Sequence, residues 1–306
     1  MDKIEQRLLE KIADLHKIPS GAFNLRKNGQ TDTRTSTKDI EISPKTDKSG
    51  IDIFVKPNVK NKSVHIPVII TVGGLTDLVY NDFYIGENAD VLIVAGCGIH
   101  NKTCNKSEHN GIHTFHIGKN ARVKYVEKHV GEGEGSGERV LNPVTKIFMR
   151  KNSFMEMETL QLEGVSSTIR KTEAKLYQNA SLHIQENILT TDSQTAKTLF
   201  KVELLGDSSS VEVVSHSVAR DSSYQEFKSD LIGKNHCFGH VECDGILLDN
   251  ARIVSVPKID AIDSNASLIH EAAIGKIAGD ELNKLMTLGL TQTEAENTII
   301  QGFLLG

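Results

Sequence analysis

The chain has 306 residues and a net charge of −5, with acidic and basic side chains mixed along its length. This mixture lacks the basic face that nucleic-acid binding requires, and no apolar run reaches the roughly 18–20 residues that cross a bilayer. Since the first residues also lack a signal-peptide core, we expect a cytoplasmic protein that binds neither nucleic acid nor membrane.

The first predicted element is an amphipathic helix near the N-terminus. Its apolar residues recur at helical spacing, and Pro19 and Gly21 end it. Residues 26–50 are polar and rich in Thr, Ser, Lys and Asp, which predicts a loop or a poorly ordered linker. Residues 1–50 are therefore interpreted as a helix followed by a polar linker. The apolar face of the helix consists of Ile4, Leu8, Leu9, Ile12 and Leu15.

Residues 51–257 contain a repeat with a period of about fourteen residues. Each unit has a turn residue followed by alternating apolar and polar positions, as in Leu182-His183-Ile184. Such units bury their apolar faces only against neighbouring units, which predicts an all-β core, a right-handed parallel β-helix. A β-sandwich is the alternative, but it does not explain such even spacing. Units begin at Asn88, Asn120, Asn152, Ser166, Asn179, Ser193, Asp207, Asp221, Asn235 and Asn250.

The repeat is predicted to stop at Pro257, and residues 258–306 to form a C-terminal helical segment. The first helix runs from Asp280 to Leu288, with Gly289 as the glycine that terminates it. A second helix begins at Thr291, where Glu294 completes a capping box. Two short amphipathic helices in this position either cap the solenoid or dock on a partner.

Three stretches carry side chains suited to metal or sulfur chemistry. Residues 97–116 contain Cys97, Cys104 and a group of histidines that includes His109 and His113, without matching a known zinc motif. Residues 236–244 contain Cys243, and we expect this cysteine to point inward if Val241 does. Alternatively, Cys243 lies where two such sheets meet. A third stretch, residues 270–271, is a His-Glu pair between the last predicted strand and the helices. Buried, inert thiols are the alternative interpretation of the cysteines.

The glycine-rich stretch at residues 131–137 superficially resembles a phosphate-binding loop. It lacks the Lys-Ser/Thr pair of a P-loop, and its glutamates would repel phosphate. We interpret it as a mobile acidic loop between strands. The chain is therefore expected to bind no nucleotide and to have no ATPase activity of its own.

Residues 235–302 resemble the C-terminal core of the SufB/SufD scaffold proteins, which assemble iron–sulfur clusters. The β-helical middle of the chain is compatible with this resemblance. The chain is shorter than SufB and resembles more closely the compact, stand-alone SufB-like proteins that pair with a single SufC-type ATPase. The matching phrases are Glu242-Cys243-Asp244, His270-Glu271-Ala272, Gly275-Lys276-Ile277, Glu281-Leu282 and Ala295 to Phe303.

The resemblance implies a scaffold that is not an enzyme and that holds a transient iron–sulfur cluster. It implies that Cys243 holds the nascent cluster, with Glu271 and His270 as further ligands. In the family a second cysteine receives sulfur and passes it along the β-helix interior. Cys97 and Cys104 are the candidates for that role.

The resemblance also implies partners. A SufC-type ABC ATPase would dock on the terminal helices, through Leu282, Leu285 and Met286, and drive opening of the assembly site. Two copies of the chain would pair as a homodimer through the β-helix. A sulfur donor protein and apo iron–sulfur acceptor proteins complete the expected partners.

Two other function classes compete with the scaffold. A structural solenoid that polymerises end to end is disfavoured because the terminal helices block one end. A β-helical enzyme acting on polysaccharide is disfavoured because the acidic residues are dispersed and no secretion signal is present.

Overall fold

The protein is described by a computed structural model covering residues 2–17, 19 and 21–305; Met1, Ile18, Ser20 and Gly306 lie outside the described residues. The chain forms a β-solenoid of about eight turns with one N-terminal helix and two C-terminal helices. Its strands form two ten-stranded sheets, called sheet A and sheet B. The predicted β-helix is confirmed.

The helices and strands have the following bounds. The helices are α1 (Lys3–Ala13), α2 (Gly279–Thr287) and α3 (Gln292–Leu305). Sheet A contains β1 (Ala22–Lys27), β2 (Gln30–Thr35), β5 (Lys62–Ile70), β7 (Asp90–His100), β9 (Arg122–Glu132), β12 (Phe154–Glu163), β14 (Ser181–Thr190), β16 (Ser209–Ala219), β18 (Cys237–Leu247) and β20 (Ala266–Gly275). Sheet B contains β3 (Ile40–Pro44), β4 (Gly50–Val55), β6 (Thr76–Ile85), β8 (Ser107–Ile117), β10 (Arg139–Leu141), β11 (Val144–Met149), β13 (Ser167–Leu176), β15 (Thr195–Leu204), β17 (Tyr224–Gly233) and β19 (Arg252–Ala261).

The corners of the solenoid explain the repeat. Asn88, Asn120, Asn152 and Asn179 all have positive φ, a conformation that Asn tolerates better than most residues. Their side-chain amides form a ladder, each donating to the previous asparagine at 2.9–3.0 Å. Consecutive units alternate between the two sheets, so each unit of about fourteen residues is half a turn. Some left-handed corners lie one residue from their predicted positions, at Asp192, Ser208 and Asp249.

One column of apolar side chains illustrates how the turns stack. Val91, Val123, Met155, Leu182 and Val211 are register neighbours on successive strands of sheet A, and all point inward. Each is essentially buried. Burying side chains of this size contributes about 1.5–3 kcal/mol each, so the stacked turns stabilise one another.

Helix α1 packs on the outer face of sheet A and is capped as its sequence suggests. Asp2 and Glu5 form a reciprocal capping box. A Cβ atom at Gly96 would lie 2.6 Å from the backbone oxygen of Ile12, and one at Gly98 would lie 2.9 Å from the Leu8 side chain. These two glycines therefore allow the helix to approach the sheet closely.

The predicted polar linker at residues 26–50 is wrong. This segment forms most of two antiparallel hairpins, β1–β2 and β3–β4, which close the N-terminal ends of sheets A and B. Each hairpin pairs in parallel with the next strand of its sheet. Burial comes from a few apolar residues: Ile40 and Ile42 face the interior, and the adjacent Leu25 packs against α1. The composition of the segment hid this alternation.

The predicted end of the repeat at Pro257 is also wrong. Strand β19 runs through Pro257, and β20 follows it, so the His270-Glu271 pair lies within a strand. The Arg252 amide donates to the carbonyl of Ser223, just before β17, and parallel pairing then directs the nitrogen of Pro257 away from β17. A proline is tolerated there because that side of β19 is the free edge of sheet B.

The terminal helices form as predicted but differ in their packing. Helix α3 begins with the Thr291–Glu294 capping box and packs Ile300 and Leu304 against Val218 of sheet A. Helix α2 buries none of its residues. Across the described residues, no helix is both long and apolar enough to span a membrane.

The glycine-rich loop is held by backbone hydrogen bonds rather than free. Gly135 donates to the carbonyl of Asn101 at 3.0 Å, and Gly137 donates to that of Thr103 at 2.9 Å. The mobile loop expected from its composition is therefore a packed extension of the solenoid wall.

Candidate functional site

A line of polar side chains runs inside the solenoid where apolar residues are expected. Glu127, Thr159, Glu186, Ser215 and Cys243 are register neighbours on β9, β12, β14, β16 and β18. All five point inward, and none is more than 2% exposed. We call this column, with the inward polar side chains on both sides of it, the interior polar seam.

Neighbouring columns widen the seam. Two residues further along sheet A, Cys97, His129 and Gln161 are register neighbours on β7, β9 and β12. Sheet B contributes Arg170 and Thr198, which are register neighbours on β13 and β15. The seam is therefore built from both sheets, with one buried cysteine near each end.

A chain of hydrogen bonds enters the seam from sheet B. The Asn81 amide lies 3.3 Å from His113 Nε2, and His113 Nδ1 lies 2.8 Å from the Tyr125 hydroxyl. The Tyr125 hydroxyl donates to Glu127 at 3.0 Å. This arrangement suits a neutral imidazole that accepts at Nε2 and donates at Nδ1. Burial lowers the pKa of His113 to about 4, so the ring is neutral at physiological pH.

A buried ion cluster forms the middle of the seam. The Arg170 guanidinium donates to Glu127 and to His129 Nδ1, and its Nε lies 3.2 Å from Glu186 without hydrogen-bond geometry. Burial would raise the pKa of Glu127, but His129 and Arg170 hold it well below its usual value. Burial raises the pKa of Glu186, although Thr198 donates to it at 3.0 Å. One cation thus serves two carboxylates of different proton affinity.

Several polar atoms of the seam have no hydrogen-bond partner within the protein. These are the Thr159 hydroxyl, both amide atoms of Gln161 and the Thr172 hydroxyl. Buried polar groups normally have hydrogen-bond partners, so unpartnered ones indicate positions where water or another small polar molecule can bind. The seam is therefore polar and incompletely paired along its middle.

Cys97 lies at the N-terminal end of the seam beside the histidines. It lines a small cavity with His109, His113 and His129. His109 is held by Asp77 at 3.0 Å, and Asp77 also accepts from Arg26. Burial raises the pKa of the Cys97 thiol well above its usual value. Among the described residues, no group of three or more His, Cys, Asp or Glu side chains is arranged to hold a metal ion.

Cys243 lies at the opposite end, one strand from the open edge of sheet A. It points inward together with Val241, as predicted, and it is fully buried. Burial raises the pKa of its thiol to about 11. The side chain is therefore a protonated thiol in this closed arrangement.

The His270-Glu271 pair is split between the two faces of β20. His270 is the register neighbour of the inward-pointing Val241, and neither of its ring nitrogens has a hydrogen-bond partner among the residues that the structure describes. Glu271 points outward, with its carboxylate 3.6 Å from His240 Nε2. Within one chain, Cys243 and His270 therefore both face the interior at the C-terminal end of the solenoid. Glu271 lies on the opposite face of β20 and does not reach them.

The other sequence candidates also separate. His109 and His113 belong to the seam, whereas Cys104 is exposed in the loop before β8. Sequence reasoning missed Glu127, Arg170 and Glu186. The sequence did contain a signal for Glu127. It lies two and four residues after the inward-pointing Tyr125 and Val123, so the alternation along the strand predicts that its charged side chain also points inward.

Comparison with known proteins places the seam within a recognised family. The family model described as SUF system FeS cluster assembly, SufBD core domain, matches residues 84–303. An iron–sulfur cluster assembly SufBD family protein of Methanothermobacter thermautotrophicus is 30% identical over 222 residues, which cover 71% of this chain and 53% of that protein. The chain thus spans about half the length of that relative.

Two further relatives match over most of their length. The SufBD family proteins of Methanocaldococcus jannaschii and Pyrococcus horikoshii are each 26% identical to this chain. The alignments cover 87% and 88% of this chain and 84% and 82% of those proteins. The family match includes Cys97, Cys243 and the interior polar seam between them.

Proposed function

The chain belongs to the SufB/SufD family of iron–sulfur cluster assembly proteins, and we propose that it is a scaffold on which a transient cluster is built and released. The observation that carries this proposal is the interior polar seam, which connects buried Cys97 with Cys243 at the open end of the solenoid. The cluster is the cargo of this protein rather than a resident cofactor. The scaffold is not itself an enzyme and binds no nucleotide.

The ligand set at the open end suits a cluster that must be released. Durable clusters are held by four thiolates, whereas Cys243 and His270 offer one thiol and one imidazole. Imidazole and carboxylate ligands exchange more readily than thiolates on iron. Glu271 points away from them, so a carboxylate ligand would have to come from another chain or from a rearranged edge.

Pairing of two copies through the open end is supported by the last two strands. Strands β19 and β20 leave the final edges of both sheets without a neighbouring strand, and an unpaired edge favours association. Large apolar side chains are exposed there, among them Val256, Ile259, Ile262, Ile269 and Ile274. A homodimer formed at these edges would bring two copies of the Cys243 region together.

Cluster binding requires the Cys243 end to open. A thiol with a pKa of about 11 is protonated at neutral pH, and iron needs the thiolate. A SufC-type ABC ATPase would supply the work by moving β19 and β20. Helix α2 is suited to receive it, because Leu282, Leu285 and Met286 are not buried by the rest of the chain. Helix α3 would transmit the motion through its contact with sheet A.

Sulfur would travel through the seam. Five strand spacings separate β7 from β18 in sheet A, which corresponds to about 24 Å at roughly 4.8 Å each. A sulfur donor protein would supply the Cys97 end, and apo iron–sulfur acceptor proteins would collect the cluster at the Cys243 end, all in the cytoplasm. Cys97 is favoured over Cys104 because only Cys97 faces the seam.

The function is tested by anaerobic reconstitution with iron and sulfide after co-expression with a SufC-type ATPase. We expect visible absorption and bound iron and sulfide for wild type, loss of both in Cys243→Ala, and no change in Cys104→Ala. A cluster that survives in Cys243→Ala would move the site toward Cys97. An intact ATPase complex without any cluster would favour the alternative, a β-solenoid interaction protein.

The docking role of α2 is tested separately. Leu282→Asp or Leu285→Asp should weaken the ATPase complex, while Asn283→Asp, on an exposed position of the same helix, should not. Size-exclusion chromatography of the co-expressed complex gives the readout. Undiminished complex formation by Leu282→Asp and Leu285→Asp would contradict docking through α2.

A further inference from the structure

A cavity of about 290 Å³ lies at the N-terminal end of the solenoid, opposite the Cys243 edge. The β1–β2 and β3–β4 hairpins form its outer walls, and residues of β5 and β6 form its floor. Asn81, which begins the hydrogen-bond chain to Glu127, is part of this floor. We call this cavity the N-terminal mouth.

The mouth is strongly cationic. Arg26, Arg34, Lys45 and Lys48 line it, and no carboxylate does. Arg26 and Lys45 are neutralised by aspartates outside the lining, including Asp77. The remaining two cations make their direct contacts with uncharged groups. Burial would raise the pKa of Asp82, and Lys48 helps Lys45 to lower it, so the charge of Lys48 is partly compensated. Arg34 donates to Asn24 at 3.0 Å and to Thr31 at 3.1 Å, and the Lys48 ammonium lies 4.5 Å from the centre of the Tyr80 ring.

This charge distribution selects the class of ligand. A concave site lined by cations and neutral hydrogen-bond donors, without a carboxylate in its lining, concentrates anions. Ser49 and Gln30 add neutral polar groups to the wall. Aromatic rings do not line the mouth, so a small inorganic anion fits it better than a nucleotide.

A smaller cavity that adjoins the mouth limits the size of a ligand that reaches the interior. Ile66 and Val68 line both the mouth and the deeper cavity that contains Cys97 and His129. The deeper cavity has a volume of only about 10 Å³, room for the centre of one water-sized molecule. Sulfate or phosphate would fit the mouth but not the deeper cavity. Hydrosulfide, a single heavy atom with one negative charge, is larger than water but comes closest to both limits.

We propose that the N-terminal mouth is a hydrosulfide-binding site that admits inorganic sulfide to the Cys97 end of the seam, with Arg34 and Lys48 as its main anion ligands. This inference rests on the proposed function, which requires sulfide inside the solenoid. It adds a direct route for inorganic sulfide that needs no protein-bound sulfur carrier. The sulfur of hydrosulfide already has the oxidation state of cluster sulfide, so no reductant is needed.

Anion binding is tested on the full-length chain with bromide as the probe, without iron or ATPase. Bromide resonance lines broaden when the ion binds a protein, and hydrosulfide should displace it at mildly alkaline pH under anaerobic conditions. We expect saturable broadening for wild type and about tenfold weaker binding in Lys48→Met, because a charge-assisted contact is lost. Arg34→Gln/Lys48→Met should abolish it. The charge-matched control Lys60→Met/Lys102→Met should bind like wild type.

Three results would overturn the inference: no saturable broadening in wild type, unchanged bromide binding in Lys48→Met, or displacement by sulfate but not by hydrosulfide. Lys48 is exposed, so its replacement leaves the fold intact, and far-UV circular dichroism checks this. Because the probe needs no cluster, the test is independent of the proposed function. A cluster at Cys243 without anion binding at the mouth would remove only this inference, and anion binding without a cluster would remove only the scaffold.

Discussion

Replacing Arg170 by Met should unfold the protein at much lower urea concentration. Arg170 is 1% exposed and is the cation that contacts both Glu127 and Glu186. Removing one partner of a buried ion cluster costs about 3–5 kcal/mol because the remaining charge is left unpaired. Glu186 already has a raised pKa and can take up a proton at small cost. Most of the loss should therefore come from Glu127.

The measurement is urea unfolding followed by far-UV circular dichroism, since the chain has no tryptophan. We expect Arg170→Met to lose about 3 kcal/mol at neutral pH. The triple variant Arg170→Met/Glu127→Gln/Glu186→Gln should recover to within about 1 kcal/mol of wild type, because no buried charge remains. Arg150→Met, which removes an exposed arginine stacked over Tyr177, should cost less than about 1 kcal/mol.

The pH dependence gives the same reasoning a second check. Without Arg170, the folded-state pKa of Glu127 should rise above its unfolded value, so Arg170→Met should regain stability as pH falls toward 5. In wild type, Glu127 changes the stability in the opposite direction. Its pKa is depressed in the folded protein, so the stability that it contributes is lost as pH falls. A variant as stable as wild type at neutral pH, or a triple variant without recovery, would refute the assignment of an ion cluster to the interior.

Three further predictions concern single residues. The pKa of His113 is about 4 in the folded protein, against a reference value of 6.5. As pH falls from 6.5 to 4 the unfolded chain takes up a proton that the folded protein does not, so the free energy of unfolding of wild type should fall by up to about 3 kcal/mol. Urea titrations at both pH values should show no such decrease for His113→Gln. Gly96→Ala should detach α1 from sheet A, because the added Cβ would lie 2.6 Å from the Ile12 oxygen. Amide exchange in α1 should then be faster than in wild type and in the control Gly21→Ala. Unchanged protection of the α1 amides would contradict the close packing. Cys104 should react with iodoacetamide well before Cys243, whose thiol is buried with a pKa of about 11; equal rates would mean that the Cys243 end is open without the ATPase.

The end regions show where sequence reasoning was too coarse. Residues 26–50 were expected to be a linker because their composition is polar, yet hairpin pairing with β5 and β6 makes them strands. Pro257 was expected to end the repeat, yet it occupies the free edge of β19, where no amide is needed. Both errors have one cause: whether a backbone group has a partner depends on neighbouring strands that are distant in sequence.

The sequence by itself determined the solenoid and its terminal helices, and it linked the direction of Cys243 to that of Val241. These follow from local patterns: the regular turn residues, the alternation on each strand, and the Thr291–Glu294 capping box. Only the tertiary structure decided that Cys243 lies in one column with Ser215, Glu186 and Glu127, because register between strands about 28 residues apart is not a local property. It also decided that Glu271 faces away from Cys243, and that Arg170, on the facing sheet, neutralises the charges that make the interior polar.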